Sequence, residues 1–228
     1  MSYAVTQSGR GSGSIDKETL QLDISRAVSY MGQVGAAVNR LLLTGCTKQQ
    51  ISYEGAPVAW YVNPSAPADN TCHVFDPAGG GVTYQSPPAS LMDTGFAAMG
   101  TYGEYIFNRH MNLDFGIAGH TASTDYAVHM IAGYVNDATC LAVNRQINNV
   151  TTIPTSTDDA FDITQGFAGA FASSPGVDCD VNPIAGTDSA FACGDGYLGC
   201  FEVDFVWDGA DTPTNVNILY YFNMRNPP

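Results

Sequence analysis

IDKETLQLDISRAVSYMGQVGAAVNRLLL, residues 15–43, is the stretch whose reading decides the fold. Within it Ile24, Val28, Met31, Val34 or Gly35, Val38, Leu41 and Leu42 recur at three- and four-residue steps, the spacing that gathers side chains on one face of an α-helix. Asp23, Arg26, Ser29, Gln33 and Arg40 fall largely off that stripe. Ser14 or Asp16 is placed to start the helix, because a short side-chain oxygen accepts from the free N–H groups of the first turn. Gly45 is placed to stop it, since glycine tolerates the left-handed conformation that ends many helices. The chain therefore divides into a Gly/Ser-rich flexible lead over 1–13, a long helix over 14–45 and a cysteine-bearing globular domain over 46–228.

The remainder is rich in turn formers. Gly (24) and Pro (12) stand beside many Ser, Thr and Asn, and charged residues are only 13% of the chain, a composition that suits an extracellular protein of strands and loops. The net charge is −14 with 8 Lys+Arg. Phosphate-backbone binding needs clustered cations, so nucleic acid is excluded as a partner, and an anionic membrane surface with it. A divalent cation fits the sign of the charge.

Six cysteines are present, Cys46, Cys72, Cys140, Cys179, Cys193 and Cys200, and none forms a CxxC pair. An even number without metal-ligand spacing reads as a disulfide framework made in an oxidising compartment. Six cysteines allow fifteen pairings. The expected set is Cys46–Cys72, Cys179–Cys193 and Cys140–Cys200, the first closing a loop worth roughly 3 kcal/mol on the chain-entropy model. Buried free thiols are the alternative. No run is apolar and long enough to span a bilayer, and no signal peptide is visible. An exported protein needs one or the other, so a truncated or processed form is expected, with the missing segment before Ser2.

Strands are expected over residues 51–62, 72–75, 82–85, 102–108, 111–117, 127–134 and 167–171, with 102–108 and 111–117 paired. A second, shorter helix is expected over 135–147. Residues 199–207 and 216–224 alternate as a closing antiparallel hairpin.

Few constellations carry chemistry. His73, His110, His120 and His129 fall in separate elements and form no HxH or HExxH group, and there is no GxSxG nucleophile elbow. Asp178, Asp180, Asn182 and Asp188 offer alternating hard oxygens suited to Ca²⁺. Ser189 stands where a helix–loop–helix site needs its bidentate Glu, so only an irregular loop site is left. Asp208 and Asp211 read as turn chemistry. Tyr53, Trp60, Tyr61, Phe75 and Tyr84 fit either a glycan surface or, more simply, core and sheet face.

The helix of residues 14–43 followed by Gly45-Cys46, with a closing hairpin and cysteine-tied loops, resembles in layout the part of a type IV pilin or pseudopilin that follows its apolar N-terminal segment. The resemblance implies an α+β fold: a long N-terminal helix packed on an antiparallel sheet, a short second helix and long disulfide-tied loops. It implies a non-enzymatic structural subunit of an exported assembly, a pilus-like filament or secretion pseudopilus, at a periplasmic or extracellular cell surface. The only membrane contact implied is through the missing N-terminal anchor. Partners are then copies of the chain or related envelope subunits, with Ile24, Val28, Met31, Val38 and Leu42 as the assembly stripe. A secreted Ca²⁺- or glycan-binding module and a virion surface or capsid protein are the alternatives. No cofactor is expected beyond possible Ca²⁺.

Overall fold

The computed structural model describes residues 12–56, 61–109, 112–113, 127–156, 161–162, 166–170, 178–179, 198–207 and 213–225. The first element, α1 (Ser12–Leu43), begins two residues before the expected Ser14. It ends at Leu43, and the expected stop residue, Gly45, follows with φ +109°. There the Cys46 N–H donates to the Leu41 carbonyl at 3.1 Å and the Gly45 N–H to Leu42 at 3.3 Å. This nested pair of bonds satisfies carbonyls that a helix end otherwise leaves open.

The apolar stripe of α1 is covered by its own chain. Ile24, Met31, Val34, Val38 and Leu41 are at most 3% exposed, while Val28 and Leu42 are partly buried. An apolar helix stripe can be covered by the sheet of the same subunit, the default, or by neighbouring subunits, and for most of these residues the cover is the chain's own core. Ile24, Met31 and Val38 are spent on the monomer's own core and present no surface for a second chain.

The following elements are β1 (Tyr105–Asn108), β2 (Asn112–Leu113), β3 (Ala127–Val135), α2 (Asp137–Val143), β4 (Thr155–Ser156), β5 (Phe161–Asp162), β6 (Asp178–Cys179), β7 (Leu198–Trp207) and β8 (Thr214–Arg225). The main sheet runs β1-β3-β8-β7-β4, with β5 also parallel to β7, and β2 and β6 form a separate parallel pair. Its centre is antiparallel: β1 on β3, β3 on β8, β8 on β7. The β7–β8 hairpin is the expected one. Its register sets Cys200 opposite Leu219 and Phe201 opposite Ile218. All four are buried, so both faces of the pleat are covered there.

Tyr134 interrupts β3. It has φ +64°, and the register shifts between Gly133 and Val135, the mark of a bulge that re-aims one side chain. Tyr134 packs on Phe96 and Tyr102, and its carbonyl accepts the Asp93 N–H at 2.7 Å. Directly after it Asn136 caps α2, accepting the Thr139 N–H at 2.9 Å. Asn144–Asn148 continues α2 as a π-helical turn.

Several expected strands are different structures. Residues 51–56 make only isolated bridges, Ser52 to His73 and Glu54 to Ala56, and 57–60 lie outside the described residues. Residues 72–75 are turn around that bridge, and 82–85 have no regular structure. Residues 167–170 form no strand; only Gly166 bridges, to Asn108. β1 pairs with β3 rather than with 111–117, of which Asn112 and Leu113 pair with β6 instead. These segments are aromatic because they build core. Tyr53 stacks on Phe107 with centroids 4.1 Å apart, and Tyr61 meets the same ring edge-on at 5.6 Å.

Two disulfides join these parts. Cys46–Cys72 ties the end of α1 to the loop after it, and Cys140–Cys200 ties α2 to β7. Both pairings are the expected ones. Cys179–Cys193 lies outside what is described, since Cys193 is not among the described residues.

Candidate functional site

The most extensively built surface is the one along α1. The segment of residues 72–90 runs beside the helix as a strap, and its ties descend in order. Ser90 Oγ donates to Asp23 Oδ2 at 2.6 Å, and the Gln85 N–H donates to the Tyr30 hydroxyl at 3.0 Å. Arg40 Nη2 donates to the Gly80 carbonyl, and Cys46 is bonded to Cys72. Helix positions rise as strap positions fall, so the two run antiparallel. Burial holds the Tyr30 phenol neutral and pushes its pKa up to about 12, against the smaller opposing effect of the Gln85 bond. On the sheet side Gly35 lets Tyr221 approach, since a Cβ there would sit 3.0 Å from Tyr221 Cε1.

The strap's turn depends on Asp76. Its Oδ1 accepts the Ala78 N–H at 2.8 Å, and its carbonyl accepts Gly79 and Gly81 at 3.0 and 2.8 Å. Asn70 Nδ2 donates to its Oδ2 at 3.0 Å. Gly79 and Gly80 are required by close approach, because a Cβ on them would collide with the His73 and Val74 carbonyls. The run DPAGGG is thus explained as turn chemistry.

Side chains and loop backbone occupy groups on the outer sides of β1 and β7. On β1, the Tyr105 N–H donates to the Tyr84 hydroxyl at 2.8 Å and the Phe107 N–H to the Tyr61 hydroxyl at 2.9 Å. The Phe107 carbonyl accepts from Phe167 at 2.8 Å. Burial raises the pKa of both phenols, Tyr61 and Tyr84. On β7, the amide of Asn144 serves both backbone groups of Cys200, and the Glu202 N–H donates to the Pro154 carbonyl at 2.8 Å. β4 and β5 then pair further along β7.

Among the described residues, open clefts lie beside α1. One, of about 620 Å³, lies between Thr19, Leu20, Ser90, Asp93, Asn136 and Asp137. The other, of about 520 Å³, surrounds the Cys46–Cys72 bond at the helix end and includes Arg40, Thr44, Gln50 and Thr71.

The sequence-derived metal residues are not brought together on the described surface. Asp178 sits in β6, and Asp180, Asn182 and Asp188 lie outside the described residues. Among the described residues no group of three or more His, Cys, Asp or Glu is disposed to hold a metal ion. His73 is buried 3.6 Å from Glu54. His110 and His120 lie outside the described residues, and His129 is in β3. Of the glycan candidates, Tyr53 and Tyr61 are buried core, Phe75 and Tyr84 pack partly buried against it, and Trp60 lies outside the described residues. Buried Asn63 and Asn144 and the half-buried Asn136 have no place among the residues the sequence singles out. Only Asn136 carried a local signal there, as an Asn three residues before Thr139 at a helix start.

No protein-family model matches the chain, and neither does any curated protein or solved structure.

Proposed function

We propose that the chain is a non-enzymatic structural subunit of an exported assembly, pilin-like in layout. The observation that carries the reading is the division of α1. From Asp23 onward the helix buries one face on an antiparallel sheet and is clipped by the strap, whereas Lys17, Glu18, Thr19, Gln21 and Leu22 are exposed. Among residues 17–22 only Leu20 packs, partly buried, against the core. The two disulfides are consistent with an oxidising, extracytoplasmic location. No helix among the described residues is long and apolar enough to cross a membrane.

Backbone groups on the outer sides of β1 and β7 are also occupied. With their backbone groups occupied, β1 and β7 offer little for strand addition. We assign association to the outer face of α1, where Leu22, Ser25, Ser29, Gln33, Ala36, Asn39 and Leu43 are exposed. Leu22 and Leu43, at 53% and 88% exposure, mark its two ends.

The test is a photo-crosslinking amino acid at Leu22 in the native host. Crosslinks to further copies or related subunits in a surface-sheared fraction are the expected result. Uncrosslinked monomer confined to a soluble extract would overturn the reading.

A further inference from the structure

The two disulfides differ in access. Cys140 and Cys200 are 0% and 1% exposed, and Asn144 covers the strand beside them. Cys46 is only partly buried, and its bond to Cys72 forms part of the wall of the open cleft at the end of α1. We propose that this cleft is a thiol–disulfide exchange site, that its ligand is a small thiol or the thiolate of an oxidoreductase, and that Cys46–Cys72 is a clasp which this reagent opens while Cys140–Cys200 stays shut. The proposal is independent of the assembly role.

The chemistry has a preferred direction. An attacking thiolate bonds to Cys46 Sγ, the more accessible sulfur, and the electron pair of the broken bond leaves on Cys72 Sγ. The reverse choice would place a thiolate on Cys46 against the negative end of α1, which disfavours it. Arg40 lines the same cleft and supplies positive charge there. Cys72 then takes a proton from solvent. A second thiol of the reagent resolves the mixed disulfide and frees Cys46 as a thiol. Two electrons and two protons pass to the protein, and the reagent leaves oxidised.

Opening the clasp has a local consequence. Gly45 and Cys46 are each joined to the helix by one turn bond and Thr44 by two, whereas the strap keeps its ties at Gly80, Gln85 and Ser90. The helix end should loosen and the body should not.

The experiment uses the full oxidised chain with graded reduced glutathione, followed by differential alkylation and peptide mapping, and hydrogen exchange on the same samples. Cys46 and Cys72 are expected to become alkylatable at least about tenfold faster than Cys140 and Cys200. Exchange is expected to rise over residues 44–50 and to stay unchanged in β7 and β8. Equal rates for the two bonds, or earlier opening of Cys140–Cys200, would overturn the site. Selective opening with no change over 44–50 would overturn the clasp.

Discussion

The side chain of Asn144 stands in for a neighbouring strand at Cys200: its Nδ2 donates to the Cys200 carbonyl at 2.8 Å and its Oδ1 accepts the Cys200 N–H at 3.0 Å. Asn144 is fully buried, and Nδ2 also reaches the Thr152 carbonyl at 3.3 Å. Replacing it by Leu keeps the volume close but strands two buried backbone groups. Asn144→Leu should therefore lose about 2–5 kcal/mol of stability, read from denaturant unfolding. A loss below the range of ordinary surface substitutions would show that water takes over the role of the amide.

The tyrosine hydroxyls on β1 make a matching prediction at the other edge. Tyr61→Phe removes the acceptor of the Phe107 N–H and leaves the ring packing on Phe107 intact. The expected cost is about 1–3 kcal/mol. Hydrogen exchange at Phe107 should rise more than at β7, whose bonds the change does not touch.

Burial of the phenols also fixes how stability responds to alkali. The Tyr30 pKa is raised in the folded chain to about 12 from 10.0, and Tyr61, Tyr84, Tyr105 and Tyr220 are raised as well. Above the unfolded value the unfolded chain releases protons that the folded chain keeps, so stability falls as pH rises. The contribution is complete below pH 10.0 and for Tyr30 is lost between there and about 12. Unfolding midpoints should therefore begin to decline above about pH 10. Tyr30→Phe should flatten the decline.

Two glycines should respond in opposite directions. Gly32 lies within α1, and a Cβ there meets nothing within 4 Å. Gly32→Ala should stabilise by about 0.5–1 kcal/mol through helix propensity. Gly80 has the Val74 backbone against it, with Val74 Cα 2.8 Å from an added Cβ. Gly80→Ala should destabilise and weaken the neighbouring tie to Arg40. Thermal melts of the two variants moving in the same direction would contradict this account of the strap.

What the sequence disclosed was periodic or local. The three- and four-residue spacing from Ile24 to Leu42 gave α1, alternation gave β7 and β8, and Gly45 gave the helix stop. The segments containing Tyr53, Tyr61 and Tyr84 read as strands because aromatic and β-branched residues favour strands. Their rings instead fill the core around Phe107, and two of their hydroxyls finish β1. That role depends on partners some 20 to 50 residues away, and no local pattern encodes it. The pairing of β1 with β3, across a long connection, was hidden for the same reason. Asn144 is legible only once Cys200 is placed beside it.

The two faces of α1 separate core positions from exposed ones. Val38 is 0% exposed inside the core, whereas Leu43, five residues on, is 88% exposed. A charge at Val38 is buried without a partner, and the cost of that exceeds what a domain of ordinary stability can absorb. Val38→Asp should therefore give an unfolded chain by circular dichroism, whatever the assembly state. Leu22→Ser and Leu43→Ser alter only exposed positions, so the monomer's melting temperature should hold within about the range of surface substitutions. If copies or related subunits pack on the outer face, the Leu22→Ser, Leu43→Ser double variant should lose the crosslinks and the surface-sheared fraction while remaining folded. A folded double variant that still enters the sheared fraction at the wild-type level would move the assembly surface off α1 altogether.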